Sequence, residues 1–320
     1  MPNGPLLGYA LAGLALLLFA ASILLTRLAT RRVPLAIGFV VSLAVNVLVA
    51  ALVFGVELAV RREPVVPDAG GIVAFLLAGV LTTYLGRWFF YGCVERLGPA
   101  KASTFHVSSP LVTAVLGWLF LGERLPPAAV VAMVGTSIGL YLVSTSRPRA
   151  AAAIVDTGDG AAVSAGPGMT ARMGAWFRSG VALGVGSALA YGLGNVLRGV
   201  GIVRWDEAAA GALLGAIAGL ALQLVVSAGI GATLAALRRA DRRGVALYAV
   251  IGCTTIVAQV FTIAAMAHAP VALVALITLC TPLVVFPASY LLLGNEEGIT
   301  GRAVFGALLA LAGIAAIVLR

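Results

Sequence analysis

The sequence predicts an all-α membrane protein in which ten transmembrane helices form two inverted five-helix repeats. The chain has 320 residues, of which 61% are hydrophobic and only 10% are charged. A soluble domain carries about 25% charged residues, and a chain this apolar would expose far more hydrocarbon than water tolerates. The composition therefore excludes a soluble enzyme, a secreted disulfide scaffold and a disordered chain.

Each long apolar run can cross a bilayer as a helix, which needs roughly 20 residues. The runs are continuous and lack the alternation of a membrane barrel strand, so helices are expected. The first run has no basic segment before it and is too long for a signal peptide, so we expect it in the mature protein. The predicted spans are residues 5–26, 34–60, 71–94, 100–121, 127–145, 179–201, 207–237, 245–267, 270–293 and 300–319.

A polar stretch rich in small residues separates the first five spans from the last five. Residues 146–178 contain several Gly and Pro residues and have the composition of a flexible linker. The predicted organisation is therefore a first repeat at 1–145, a linker at 146–178 and a second repeat at 179–320.

The two halves carry similar residues at an offset of 172 positions, which places Gly8 on Gly180 and Pro110 on Pro282. This recurrence indicates an internal duplication. Because each half has an odd number of spans, the second half enters the membrane upside down. Inverted repeats of this kind are typical of secondary transporters, whose substrate site lies at the repeat interface near mid-membrane.

Residues 97–125 and 269–298 share a second pattern: small residues at a helix start, a Pro after Ser or Thr, a Leu-Gly turn and a Gly-bearing last helix. The first turn reads LGER and the second LGNEE. The pattern resembles the signature of the EamA family in the drug/metabolite transporter superfamily, and the upstream stretch LGRWFFYGCVERLG resembles an EamA subgroup. The resemblance implies two five-helix bundles around a central cavity that opens to alternate sides.

Arg87 is the first candidate for substrate binding because it lies well inside the third span. A charge at this depth costs from about 2.5 kcal/mol upward and normally faces a cavity or a partner. We expect Arg87 to hold an anionic group of the substrate; the alternatives are snorkelling or a pair with Glu95. Trp88 and Tyr91 share its helix face and would form aromatic walls, or else pack ordinarily or anchor at the interface.

His106 lies one turn before Pro110, and its imidazole could couple protons to transport because it titrates near neutral pH. The alternative is a neutral imidazole bonded to another helix or to a carbonyl that the proline leaves without a donor. Tyr191, Asn195 and Arg198 lie on the sixth span and are predicted to form the opposite wall of the cavity. Snorkelling at a helix end is the alternative for Arg198.

Gln259 completes the set of predicted binding residues. An offset of 173 places it on Gly86, beside the position that corresponds to Arg87. It would hydrogen-bond either the substrate or another helix. Pro110 and Pro282 are predicted to kink their helices near the site or at a hinge, although static kinks are also tolerated in membrane helices.

Two further motifs have structural interpretations. Glu123, in the LGER turn, is expected to cap and solvate a helix junction together with Arg124. The small-residue motifs are expected to allow close helix packing; they are Gly211, Gly215 and Gly219 in one span and Gly135 and Gly139 in another.

The sequence contains no P-loop, no metal-ligand spacing and no paired-carboxylate or nucleophile motif, so neither catalytic residues nor a metal or cofactor are expected. We expect a multi-pass secondary transporter of the inner (plasma) membrane that exports a small metabolite such as an amino acid. Its expected partners are the substrate and the lipid bilayer, not nucleic acid, and a homo-oligomer remains open. The alternatives are a sugar-phosphate or nucleotide-sugar carrier, a lipid flippase and a non-transporting subunit.

Basic residues and the family resemblance disagree about orientation. With the termini in the cytoplasm, as the resemblance implies, 5 basic residues would lie on the cytoplasmic side and 14 on the far side. Because cytoplasmic loops carry the excess of Lys and Arg, the charge distribution predicts that the termini lie outside and residues 146–178 inside. We favour this second orientation.

Overall fold

The computed structural model describes residues 4–61, 64–97, 105–145, 179–226, 235, 237–293 and 301–318, and within these ranges every regular element is helical. The predicted linker at 146–178 and the LGNEE turn lie outside the described residues. The helices are α1 (Gly4–Thr30), α2 (Leu35–Val60), α3 (Ala69–Gly79), a π-helical segment (Val80–Leu85), α4 (Gly86–Leu97), α5 (Ser109–Leu121), α6 (Pro127–Thr145), α7 (Gly180–Arg204), α8 (Ala208–Val226), α9 (Arg242–Met266), α10 (Val271–Leu279), α11 (Pro282–Leu293) and α12 (Gly301–Val318).

Ten apolar helical stretches in the described ranges fall on the runs predicted from the sequence. Six of them are long and apolar enough to cross a membrane: Gly4–Thr30, Ile37–Val60, Ala69–Phe90, Gly180–Arg204, Ala208–Val226 and Arg242–Met266. Four are shorter: Phe105–Leu121, Pro127–Leu142, Val271–Val285 and Val304–Ala316. The chain is therefore a multi-pass integral membrane protein.

Pro110 and Pro282 stand at the beginnings of helices rather than at kinks inside them. α5 starts at Ser109, directly after a turn at Ser108, and α11 starts at Pro282, after a turn that follows α10. Proline fits the first turn of a helix because its missing N–H would have no helical acceptor there. The predicted kinks are thus breaks between two helical pieces.

The packing of the described helices mixes the two halves of the chain. α1 packs chiefly on α9, and α7 packs on α3, the π-helical segment and α4. α6 and α12 pack mainly on each other, and α2 contacts both α8 and α9. Glycines make the close approaches possible. The predicted small-residue face of α8 packs against α3 and the π-helical segment, as Gly211 lies against Phe75 and Gly219 against Thr83.

Close contacts between α3 and α8 recur between α9 and α2. A methyl group on Gly79 would lie 2.6 Å from the Cα of Gly215, and one on Gly252 would lie 2.8 Å from the carbonyl oxygen of Ser42. An offset of 173 carries Gly79 onto Gly252 and Ser42 onto Gly215. The second contact is therefore the first one with the two halves exchanged.

The contact between α6 and α12 shows the same reciprocity. A methyl group on Gly139 would lie 2.5 Å from the carbonyl oxygen of Gly306, and one on Gly313 would lie 2.8 Å from that of Ala132. An offset of 174 carries Gly139 onto Gly313 and Ala132 onto Gly306. The contact between α6 and α12 is therefore symmetric: exchanging the two helices reproduces the same pair of contacts.

The π-helical segment changes the offset between α3 and α9 from 173 to 172. Directly after this segment, Gly86 packs against the ring of Tyr191, and in the other half Ala258 shares a buried cluster with Phe19 of α1. An offset of 172, not 173, carries Gly86 onto Ala258 and Phe19 onto Tyr191. A π-helical turn holds one residue more than an α-helical turn, and α9 is α-helical throughout. The extra residue in the first half explains the change of offset.

Ion pairs join helix ends of the two halves. The pairs are Asp68–Arg204 at 3.3 Å, Arg32–Asp241 at 3.2 Å and Arg61–Glu207. Asp68 and Asp241 are also the N-caps of α3 and α9, since their side chains accept hydrogen bonds from the backbone N–H groups of Gly71 and Arg243.

The LGER turn connects the halves at a helix terminus, which confirms the expected capping role of Glu123. Gly122 ends α5 with a φ of 67°, a left-handed conformation that favours glycine. Glu123 Oε1 then accepts a hydrogen bond of 2.8 Å from the backbone N–H of Val271, the first residue of α10. Burial raises the pKa of the Glu123 carboxyl above its ordinary value.

Candidate functional site

Three predicted binding residues share one face of α7. Tyr191, Asn195 and Arg198 are spaced by four and three residues, and all three are partly buried. Residues at this spacing are neighbours on a helix surface, and the row extends over about 10 Å along the axis. The candidate site is built on this face of α7.

The guanidinium of Arg198, on α7, contacts side chains of two other spans. Its Nη2 donates hydrogen bonds of 2.7 Å to Gln259 Oε1 on α9 and of 3.0 Å to Thr82 Oγ1 in the π-helical segment. The side chain is therefore directed towards neighbouring helices, in contrast to the snorkelling alternative. Both of these acceptors are neutral groups.

Thr82 in the π-helical segment and Gly86, the first residue of α4, both contact α7. The N–H of Gly86 donates to the carbonyl of Leu81, five residues earlier, and its carbonyl accepts a hydrogen bond of 3.1 Å from Ser187 Oγ. Thr82 also donates to the carbonyl of Ala78 within its own helix. π-Helical turns often mark functional sites because they displace side chains from the regular helical face.

His106 and Tyr191 form an aromatic contact beside this face. Their ring centroids lie 4.8 Å apart in an edge-to-face arrangement. The ring centroid of Phe90, on α4, lies 5.4 Å from the centroid of the imidazole. His106 is buried, and its Nδ1 has no hydrogen-bond partner among the described residues. His106 Nδ1 is therefore suited to form a hydrogen bond with a bound molecule.

Arg87 occupies a separate position between α4 and α2. It is 2% exposed, and its Cζ lies 4.6 Å from the centroid of the Phe39 ring. This stacking is a cation–π contact inside the protein. The guanidinium is therefore buried in the protein and does not face the lipid.

The aromatic residues next to Arg87 do not share its surroundings. Trp88 contacts the ring of Phe89 with centroids 5.3 Å apart and packs on the buried cluster around Phe90, which corresponds to the packing alternative. Tyr91 belongs to α4, but its side chain lies outside the described residues.

The structural offset relates Arg87 directly to Gln259. In α4, directly after the π-helical segment, the offset is 172, which carries Arg87 onto Gln259, whereas the offset of 173 used for the sequence places Gly86 there. The structure thus brings the predicted residues into two contacting groups, Arg198 with Gln259 and His106 with Tyr191. Arg87 occupies the position in the first half that corresponds to Gln259 in the second half.

An open apolar groove of about 370 Å³ lies apart from these residues, between α1, α10, α11 and α12. Its lining includes Leu6, Tyr9, Gly13, Ile277, Leu283 and Leu311. Among the described residues, no group of three or more His, Cys, Asp or Glu side chains could hold a metal ion.

Sequence reasoning missed Thr82, Ser187 and Phe39. Each is an ordinary residue of a membrane helix, and Thr and Ser commonly bond a carbonyl of their own helix. The available signal was the recurrence of hydroxyl residues at related positions, such as Thr82 and Thr255 at an offset of 173.

Residues 6–145 match the model of the EamA-like transporter family, which belongs to the drug/metabolite transporter superfamily. This match confirms the resemblance seen in the motifs of the first half. No curated protein matches the chain. A solved structure, described only as the crystal structure of a protein, is similar to this chain with a TM-score of 0.62 and 19% sequence identity. The similarity covers 100% of this chain and 97% of the other. At that identity the likeness shows the fold alone.

Proposed function

We propose, from the match of residues 6–145 to the EamA-like transporter family, that the whole chain is a secondary transporter. It carries a small metabolite across the inner (plasma) membrane in the direction of export, by alternating access between two inverted five-helix repeats. The main support is the reciprocity of the contacts made by Gly79 and Gly252 and by Gly139 and Gly313. Each repeat can adopt the conformation that the other repeat has, and this change moves the opening of the central cavity to the other membrane surface.

The proposed substrate site is the face of α7 with its partners. Polar groups inside a membrane are costly and mark substrate pathways. The site offers a guanidinium at Arg198, amide and hydroxyl groups at Gln259 and Thr82, and an imidazole between aromatic rings at His106. A compact polar metabolite with an apolar part, such as an amino acid, suits this mixture of groups.

The test is a thermal-shift screen of the purified chain against amino acids, nucleobases and organic acids, followed by transport of the hits into proteoliposomes. Binding raises the apparent stability by mass action. We expect at least one hit to be transported by the wild type, less by Arg198→Gln, and normally by Arg239→Gln, which changes an exposed arginine. Absence of transport for every hit, with well-folded protein, would contradict the proposal.

The open groove favours a second candidate, a carrier of lipid-like molecules. A lateral opening lined by Leu6, Ile277 and Leu311 would accept an acyl chain from the bilayer. Reconstituted protein would then move a fluorescent phospholipid between leaflets, and Ala10→Trp, which fills the groove, would abolish this movement. Unchanged lipid movement in Ala10→Trp would remove the groove from the substrate path.

A further inference from the structure

We infer that anionic phospholipid headgroups bind to an arginine cluster at one membrane surface, formed by Arg31 and Arg32 before α2 and by Arg242 and Arg243 at the start of α9. The ligand is a lipid of the surrounding bilayer, held through its phosphate, and not the transported molecule of the proposed function. Two joints between the halves, one at each membrane surface, lead to this inference.

Each joint is an ion pair, and the two pairs are reciprocal. The first joint is Asp68–Arg204 at 3.3 Å, and the second joint is Asp241–Arg32 at 3.2 Å. An offset of 173 carries Asp68 onto Asp241, and an offset of 172 carries Arg32 onto Arg204. Each aspartate also caps the helix that follows it. Because α2 crosses the membrane between Arg32 and Asp68, the joints lie at opposite surfaces.

Glycine contacts beside the ion pairs repeat this reciprocity. A methyl group on Gly71 would lie 2.6 Å from Trp205 Cβ, and one on Gly244 would lie 2.5 Å from a methyl carbon of Val33. The same two offsets carry Gly71 onto Gly244 and Val33 onto Trp205. The two joints therefore share one mode of packing, and the residues that this packing requires are those that recur in both.

Three arginines at the second joint do not recur at the first. The positions that correspond to Arg31, Arg242 and Arg243 by the same offsets hold uncharged residues, namely Val203, Ala69 and Gly70. Because the first joint forms without these charges, the arginines are not required for the packing of the second joint. They are therefore suited to a task that belongs to one membrane surface alone.

The arginine cluster is exposed and carries an excess of positive charge. All four of its arginines are exposed, and Asp241 pairs with Arg32. Within the part of the chain that the structure describes, no carboxylate lies within ion-pair distance of the other three guanidiniums. Arg238 and Arg239 lie on the preceding helical turn, outside the joint. Four arginines and one aspartate leave the joint with a net charge of +3.

The position of the cluster is that of lipid headgroups. It lies at the ends of α1, α2 and α9, which are all long and apolar enough to cross the membrane. α1 crosses once before the cluster, so the cluster is on the surface opposite the N-terminus, for which the charge distribution predicts the cytoplasm. Anionic lipids of the cytoplasmic leaflet attract basic clusters beside membrane spans. A guanidinium also matches a phosphate in geometry, because its parallel N–H groups donate to neighbouring phosphate oxygens.

The test measures lipid binding to the purified full chain in a zwitterionic detergent. Phosphatidylglycerol and phosphatidylcholine with the same acyl chains are titrated in parallel, and glycerol 1-phosphate supplies the anionic headgroup without the chains. We expect phosphatidylglycerol alone to raise the melting temperature, and to do so less as salt is added, because salt screens exposed charges. Equal shifts with both phospholipids would overturn the inference. An equal shift with glycerol 1-phosphate would also overturn it, since the ligand would then be a soluble anion.

Paired variants locate the binding site on the protein. Replacing both Arg242 and Arg243 by Gln should weaken phosphatidylglycerol binding about fivefold for each arginine removed. Replacing both by Lys keeps the charge and should retain most of the binding. The control replaces Arg124 and Arg302 by Gln, which removes the same charge from exposed positions elsewhere. An equal loss in the control, or no loss in the first variant, would overturn the inference.

A reporter of membrane orientation on each terminus separates lipid binding from a role in insertion alone. Basic residues direct the orientation of membrane proteins, so the glutamine variant is checked for both properties. An inverted orientation together with phosphatidylglycerol binding equal to that of the wild type would overturn the inference. Arg31→Gln, which alters one exposed residue of the cluster, replaces the double variant if that variant does not fold, and should weaken binding about fivefold. Unchanged binding in Arg31→Gln would then count against the cluster.

Discussion

Arg198 of α7 donates a hydrogen bond of 2.7 Å to Gln259 of α9, so a charged group and an amide from two spans meet inside the protein. The same nitrogen reaches Thr82 in the π-helical segment of the first half. The contact joins both halves at one cation. It provides a specific basis for the proposed substrate site.

Replacement of Gln259 by Leu should weaken transport more than it weakens the fold. The change removes an acceptor of Arg198 and a polar group of the site, so we expect KM to rise about tenfold. Hydrogen bonds between membrane helices average only about 0.6 kcal/mol, so the loss of stability should be small. Gln223→Leu is the matched control because Gln223 is buried on α8, away from this contact. Equal KM values for the two variants would contradict the site.

Alanine at Gly79 and at Gly252 should destabilise the protein to a similar extent. Each added methyl group would press on backbone of another helix, at 2.6 Å and 2.8 Å, and such overpacking costs about 1–3 kcal/mol. Gly55→Ala is the control, since nothing lies within 4 Å of a methyl group there, and it should be neutral or stabilising. Unfolding in a denaturing detergent would measure all three; a clear loss in only one variant would refute the reciprocal packing.

Glu123 should give the protein a pH-dependent stability. Burial raises the pKa of this carboxyl in the folded state, so the folded state holds the proton more tightly than the unfolded state. Its contribution is therefore most favourable at low pH and is lost as the pH rises from the unfolded pKa through the folded pKa. Melting temperatures of wild type and Glu123→Gln should diverge across this window, because glutamine has no charge. Parallel curves would show that the carboxyl is not desolvated as described.

Gly122→Ala should destabilise the end of α5 through backbone conformation alone. Gly122 has a φ of 67°, and a methyl group there would meet no atom within 4 Å. A left-handed conformation costs a non-glycine residue roughly 1–2 kcal/mol. Gly135→Ala, in α6 and equally free of neighbours, should not lower the melting temperature. Identical melting temperatures for both variants would argue against the left-handed turn.

The positions of the helices were predictable because a membrane imposes a simple rule of length and hydropathy. Glu123 as a cap and the glycines of α8 as packing residues were also predictable, since both follow from local chemistry. The π-helical segment was not predictable from Val80 to Leu85, because nothing in that composition distinguishes it from a regular helix. A single extra residue in one half becomes visible only when contacts such as those of Gly86 and Ala258 are compared.

The candidate site stays a prediction, and the structure shows which of its residues contact each other. Spacing on α7 placed Tyr191 and Arg198 on one helix face, but Tyr191 contacts His106 and Arg198 contacts Gln259. Helix spacing likewise grouped Arg87 with Trp88. Their contacts differ: Phe39 on α2 stacks on Arg87, whereas Trp88 packs against the buried cluster around Phe90. One-dimensional spacing determines which residues share a helix face, but the neighbouring helices determine what that face contacts.

Accessibility of a cysteine at position 195 tests alternating access most directly. In a variant without Cys93, Cys253 and Cys280, Asn195→Cys would be labelled in oriented vesicles by a thiol reagent that cannot cross the membrane, added to either side in turn. We predict labelling from both sides, and none from either side for Leu189→Cys, which faces outward from the same helix. Labelling of the cysteine at 195 from one side only, or from neither, would contradict a site that opens to alternate surfaces.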